Sequence, residues 1–331
     1  MSIQAESPLV RSRPVLTRDR AAQPPKAKPR LPHSTRFAIV NNMPDGALVA
    51  TERQFSSLVE AAAGRDVAID LYYLPGLARG AEASTVLEAR YRPISDLYHN
   101  GADALIVTGN EPRAARLDDE PYWPEMAQLI DWAKDNTAST LWSCLAAHAA
   151  ILRLDRIERR RMPGKRSGVF ACNVARGSGE ALPPSLSICH SRLNEAPRQA
   201  LRDKGYEIVS ESADGQVDAF AKTWTSRFLF LQGHPEYETD SLAREHRRDV
   251  GRFLNGQRTE YPAVPENYFD GPSLRRLAVF QEQAMAKPAP HLFASYPSIA
   301  LRQGLAGRLA QSASAVFSMW LNEMVVPGLP R

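Results

Sequence analysis

Four short apolar runs spaced by helix-length segments constrain the fold of this 331-residue chain more than any other feature. They are Phe37-Ala38-Ile39-Val40-Asn41, Val67-Ala68-Ile69-Asp70-Leu71-Tyr72-Tyr73, Ala104-Leu105-Ile106-Val107 and Thr140-Leu141-Trp142-Ser143. Each has the length and composition of a buried strand. Between them, Thr51 to Ala63 brings Phe55, Leu58 and Ala62 round at helical spacing, and Trp123 to Lys134 sets Met126, Leu129, Ile130 and Ala133 on one stripe. Apolar strands alternating with amphipathic helices over short connections predict an α/β fold, a parallel sheet sandwiched by helices. In such sheets reacting groups gather at the carboxyl ends of the strands. Asn110, Cys144 and His234 all fall just past such ends.

Further on, Tyr206 to Ser210 and Phe228 to Leu231 read as strands, Ser241 to Leu254 as a charged helix and Gly304 to Met324 as an amphipathic helix. That last helix, with Leu309, Val316, Phe317, Trp320 and Leu321, is expected either to pack internally or to form a dimer contact. No linker is evident after residue 35, so residues 36–331 read as one catalytic domain with a C-terminal helical extension. Residues 1–35 read as a disordered basic, Pro-rich tail: seven Lys/Arg stand against Glu6 and Asp19, with six prolines. That segment carries the whole basic excess of the +4 chain, so the folded part gives no support for nucleic-acid binding. Its first residues hold no apolar run for a signal peptide or a membrane span. Three cysteines (Cys144, Cys172, Cys189), an odd number without metal-like spacing, fit a reducing cytoplasm and no metal site.

Ser143-Cys144-Leu145-Ala146-Ala147-His148 puts a cysteine where an apolar strand turns into a helix, and Gly233-His234-Pro235-Glu236-Tyr237 supplies a histidine and a carboxylate after another apolar run. A lone cysteine is more often a small buried apolar residue. A cysteine with a base and an acid to orient that base is the minimum machinery for covalent acyl chemistry. A helix opening at Leu145 would stabilise negative sulfur and offer its backbone N–H to an oxyanion.

These two segments resemble the class I glutamine amidotransferase (flavodoxin-like) fold and, within it, the homoserine O-succinyltransferase (homoserine O-acyltransferase) family. The resemblance runs from about Phe37 to Val325. It is carried by Asn42-Met43-Pro44, Thr51-Glu52-Arg53-Gln54-Phe55, Asp103 to Gly109, Tyr122-Trp123-Pro124 and Asp131-Trp132-Ala133-Lys134. Ser167-Gly168-Val169-Phe170, His190-Ser191-Arg192, Arg248-Asp249-Val250, Asn267-Tyr268-Phe269 and Trp320-Leu321-Asn322 complete it. It implies ping-pong transfer of a succinyl or acetyl group from acyl-CoA, as co-substrate and without a resident cofactor, to the hydroxyl of homoserine or a related hydroxy-amino acid such as serine, in methionine biosynthesis. Cys144 would carry the acyl group and His234, held by Glu236, would activate the acceptor. By motif position, Arg192 and Arg248 would grip the amino-acid carboxylate and Glu245 its amino group, with Ser191 and Lys165 as further substrate contacts. The alternative for these charges is a solvated surface role. The resemblance also implies a homodimer.

This chain departs from the family pattern in places. Asp45-Gly46 stands where a lysine usually follows Asn-Met-Pro, which leaves the Leu145 backbone N–H as the main oxyanion donor. Asn110-Glu111-Pro112-Arg113 replaces the usual acyl-selecting loop, with Arg113 at the selector position and Glu111 beside it. Cys189 replaces a proline and His148 a glutamine. A glutamine amidotransferase is the competing enzyme reading, though Trp142, Ala146 and His148 occupy the specifying positions of its elbow. A non-catalytic binding protein of the same fold is the other competitor.

Overall fold

The structure, a computed structural model, describes residues 34–175 and 182–324. The disordered tail expected for residues 1–35 lies outside the described residues except for Ser34 and Thr35, as does Val325.

The first half alternates as the sequence predicts: β1 (Phe37–Val40), α1 (Leu48–Ala63), β2 (Ile69–Tyr73), α2 (Ala81–Arg90), β3 (Arg92–Pro93) and α3 (Ile94–Asn100). Then come β4 (Ala104–Val107), α4 (Trp123–Asn136), β5 (Ser139–Ser143) and α5 (Leu145–Asp155). The second half holds β6 (Arg160–Val174), β7 (Ser185–Glu195), α6 (Arg198–Asp203), β8 (Glu207–Ser212), β9 (Val217–Thr223) and β10 (Arg227–Leu231). Helices α7 (Ser241–Leu254), α8 (Gly271–Ala286) and α9 (Leu305–Glu323) follow.

All ten strands join one sheet in the order β3-β2-β1-β4-β5-β10-β9-β8-β6-β7. From β3 to β10 neighbours run parallel; from β10 onward they run antiparallel. The parallel sheet expected from the sequence is therefore present from β3 to β10, and antiparallel strands extend it beyond β10. In the antiparallel half the sequence shows β8, read as Tyr206 to Ser210, but not β6, β7 or β9; β6 opens Arg-Arg-Met-Pro-Gly-Lys-Arg, a basic stretch whose register slips at a bulge between Arg161 and Arg166. Bulged edge segments lose the alternation by which strands are recognised.

Helices cover both faces. Ala38 and Val40 of β1 face the layer that holds α4 and α5, whereas Phe37 and Ile39 face α1 and α9. This is the two-residue alternation of a strand buried on both sides. Helix α9 packs inside the chain: Val316, Phe317, Trp320 and Leu321 are buried against α1 and the sheet, and Trp320 Nε1 donates to Ser139 Oγ at 2.9 Å. Its apolar face is thereby buried within the chain.

One pairing sets up the site. Strands β5 and β10 are direct parallel neighbours with Leu231 beside Ser143, and Cys144 N donates to Leu231 O at 2.7 Å. Segments ninety residues apart in sequence thus end side by side at the carboxyl edge of the sheet.

Candidate active site

Cys144 caps α5 with φ 52° and ψ −112°, a backbone setting that non-glycine residues rarely adopt. Such strain needs strong surrounding support and concentrates at reactive positions. Here the support is the sheet below, through Leu231, and the helix above, where Ala147 N donates to Cys144 O at 3.1 Å. Cys144 is partly exposed and stands at the N-terminal end of α5, where the first backbone N–H groups of a helix lack helical partners. Gly109, at the end of β4, lies flat against this turn: a Cβ there would stand 2.7 Å from Leu145 N. Only glycine leaves open the space in front of that N–H. Gly109→Ala is expected to lower kcat on the order of 10²–10³-fold, measured by steady-state turnover beside an unchanged far-ultraviolet circular dichroism spectrum.

His234 is buried beside Cys144, with its backbone N bonded to Cys189 O at 2.7 Å. Gly233 precedes it because a Cβ there would overlap Ile188, Asp218 and His190. Nδ1 of His234 donates to Glu236 Oε1 at 2.8 Å, and the ring stacks on Tyr237 with centroids 4.3 Å apart. Burial works against the charged imidazole. The carboxylate of Glu236, the sulfur of Cys144 and hydrogen bonds to both overcome it and raise His234 well above its ordinary value. Cys144, His234 and Glu236 are therefore brought together as the sequence predicts, with the imidazole primed to hold a proton.

The other two cysteines are no rivals. Burial pushes the Cys189 thiol up to about 12, and burial together with Asp218 pushes Cys172 up further. Cys172, His190 and Asp218 do form a compact buried trio, the one group among the described residues with the donor set of a metal site. Its hydrogen bonding does not suit a metal. Arg192 Nε donates to His190 Nδ1 at 3.2 Å, so the ring proton sits on Nε2, which faces Asp218 Oδ1 at 3.3 Å. Ser210 Oγ completes the carboxylate at 2.7 Å. The trio reads as a satisfied polar cluster within the sheet.

Of the expected substrate residues, four converge beside His234. Glu245 on α7 accepts from Tyr237 Oη at 2.6 Å and from Ser191 Oγ. Lys165 Nζ stands 3.7 Å from Glu245 and 3.5 Å from Asp249. Arg248 donates Nε to Asp249 Oδ1 at 3.0 Å, while half of its side chain faces solvent. The charge of Glu111, in the loop after β4, also acts on Arg248. Tyr237 and Asp249 organise this cluster, and the sequence reading gave neither a role although both stood in quoted motifs.

Arg192 does not join them, a correction to the expectation that it grips a carboxylate. Neighbouring residues of a strand point to opposite faces. Ser191 meets α7, so Arg192 turns the other way and is 5% exposed. Its fork is spent on His190, on Asn194 O at 2.9 Å and on Gln216 Oε1 at 3.0 Å. Arg113, the expected acyl selector, has an exposed side chain whose charge acts on Asp45, while its backbone N is tied to buried Glu120 at 2.6 Å. Asp45, in place of the lysine, pairs with Arg79 at 3.2 Å and accepts from Gly80 N at 2.9 Å. Arg79 Nη1 also donates to Met43 O at 2.5 Å, so this ion pair fastens the loop instead of serving the elbow.

The site is thus a strained cysteine turn at the carboxyl edge of a doubly covered α/β sheet, backed by a histidine and a glutamate. The model of the homoserine O-succinyltransferase family matches residues 15–330. Similar proteins include the homoserine O-succinyltransferase of Rhodopseudomonas palustris, 48% identical over 86% of both chains, and that of Bradyrhizobium japonicum, 45% identical over 88% of this chain and 90% of that one. The chain belongs to the homoserine O-succinyltransferase family, whose members are O-acyltransferases. Among solved structures, a glutamine amidotransferase from Thermotoga maritima is 14% identical, covers 88% of this chain and 98% of its own, and has a TM-score of 0.45. Among the described residues, no helix is long and apolar enough to cross a membrane.

Proposed function

We propose that this protein transfers a succinyl group from succinyl-CoA to the hydroxyl of homoserine, by way of a thioester on Cys144. The observation that carries the reading is the strained turn at Cys144 beside a buried His234 that Glu236 orients at 2.8 Å. Family membership supplies the donor and the acceptor through the names of the relatives.

The proton inventory closes over two half-reactions. With the thiol proton on His234, the sulfur attacks the thioester carbonyl, and the resulting oxyanion faces Leu145 N–H. The carbon–sulfur bond to CoA then breaks and His234 protonates the departing thiolate. Acylation removes the negative sulfur, one of the influences that raise His234. The neutral imidazole then takes the homoserine hydroxyl proton as that oxygen attacks the Cys144 thioester. The sulfur leaves and the ion pair is restored. Glu236 holds the imidazole in one tautomer throughout.

The acceptor site is the cluster beside Tyr237. Arg248, the most accessible guanidinium there, presents a fork for the amino-acid carboxylate, and Glu245 presents an acidic oxygen for its ammonium group. Arg248→Ala is expected to raise the KM for homoserine about 10–100-fold, the loss of a charge-assisted pair, while leaving acyl-enzyme formation intact. An unchanged KM would remove Arg248 from the acceptor site. The function itself is tested by incubating the protein with succinyl-CoA or acetyl-CoA, then adding homoserine, serine or glutamine. Succinyl adduct, CoA release and O-succinylhomoserine support the reading. Preference for acetyl-CoA or serine corrects the substrates, whereas ammonia from glutamine or complete inertness refutes acyl transfer.

A further inference from the structure

The buried polar atoms without a partner among the described residues include Nδ1 of His148 and Nη1 of Arg159. His148 lies one helical turn beyond Cys144, on the same face of α5, and is only 3% exposed. Arg159 comes from the segment that returns from α5 to β6. Its Nη2 reaches only Ala115 O, at 3.5 Å, in the loop after β4. The charge of Glu120 also acts on Arg159, but Glu120 Oε1 is held by the backbone N–H groups of Arg113 and Ala114, at 2.6 and 2.7 Å. Arg159 is near enough to His148 and to Cys144 for their charges to act on one another.

A half-buried guanidinium and a fully buried imidazole, each with an idle nitrogen, are costly unless something completes them. We propose that Arg159 and His148 receive the distal carboxylate of a dicarboxylic acyl group whose thioester carbon is handed to Cys144. This rests on the acyl-transfer reading above and assigns the residues that choose the acyl group. The guanidinium supplies a planar, permanently charged fork. Burial first, then Arg192 and Arg159, push His148 down to about 3, so it takes part as a neutral N–H donor and adds directionality without further charge. A bound carboxylate would satisfy both idle nitrogens, whereas an acetyl group would leave both unpaired. The selecting charge thus sits behind the elbow on the α5–β6 connection, while Arg113 of the loop after β4 remains at the surface.

The test compares single-turnover acylation by succinyl-CoA and acetyl-CoA, followed by intact mass, in the full-length wild type, Arg159→Gln, Arg159→Lys and His148→Gln. The expected result is a succinyl-over-acetyl rate ratio that falls on the order of 10–100-fold in Arg159→Gln, less in Arg159→Lys, and severalfold in His148→Gln. A purely structural role would depress both thioesters together and leave the ratio unchanged, and that outcome overturns the assignment. If the wild type is acylated by neither thioester, the acyl-transfer reading itself fails. If it is acylated by succinyl-CoA and the ratio does not move, only the present inference fails.

Discussion

Cys144→Ala is expected to abolish turnover, with kcat falling on the order of 10⁴–10⁶-fold and no acyl adduct at any succinyl-CoA concentration. Two features make the loss this complete. The strained turn with φ 52° places one partly exposed sulfur at the N-terminal end of α5. The other thiols, Cys172 and Cys189, are enclosed in the sheet and held protonated by burial. The variant should remain folded, since alanine at the turn removes only the partly exposed sulfur and leaves the Cys144 N to Leu231 O bond in place. Measured kcat together with an unaltered melting temperature checks this. Residual turnover near the wild-type rate would mean that another group carries the chemistry.

Glu236→Gln has the second largest expected effect, a fall in kcat/KM on the order of 10²–10⁴-fold. Glu236 Oε1 fixes the His234 tautomer, and its charge is the strongest of the influences that raise His234 against burial. Replacing the carboxylate leaves burial opposed only by Cys144, so the imidazolium is lost at lower pH. The alkaline limb of the kcat/KM profile should move to lower pH. Stability follows the same sign: with a folded-state proton affinity above the ordinary histidine value of 6.5, His234 contributes stability that is fully present below that value and lost as pH rises through the folded one. In Glu236→Gln that loss sets in at lower pH. Paired pH–rate and pH–melting profiles of wild type and variant measure both shifts. A profile unchanged in position would place the control of His234 elsewhere.

The parallel half of the sheet was legible because β1, β4 and β5 are buried on both faces, and β1 and β4 read as unbroken apolar runs. In the antiparallel half β8 was visible while β6 was hidden, since it carries Arg160, Arg161, Lys165 and Arg166 on a bulged segment where no alternation survives. Likewise, the residues of the site were visible as motifs while their facing was not. Ser191 and Arg192 are adjacent in sequence and similar in chemical promise, yet strand alternation sends one to Glu245 and the other into the sheet. Arg159 and His148 gave no signal as a pair because their proximity depends on the chain turning back after α5, where Ile157 N bonds Ile151 O at 3.2 Å. Gly109 is legible only afterwards, when its contact with Leu145 shows why no side chain fits.

The most direct measurement is peptide mapping by mass spectrometry after an acid quench of the wild-type protein with succinyl-CoA in the absence of homoserine. One succinyl group should appear on the peptide that contains Cys144, and on no other, and it should disappear within a turnover when homoserine is added before the quench. A succinyl group on Cys172 or Cys189, or a protein that forms O-succinylhomoserine without ever carrying the acyl group, would contradict the account.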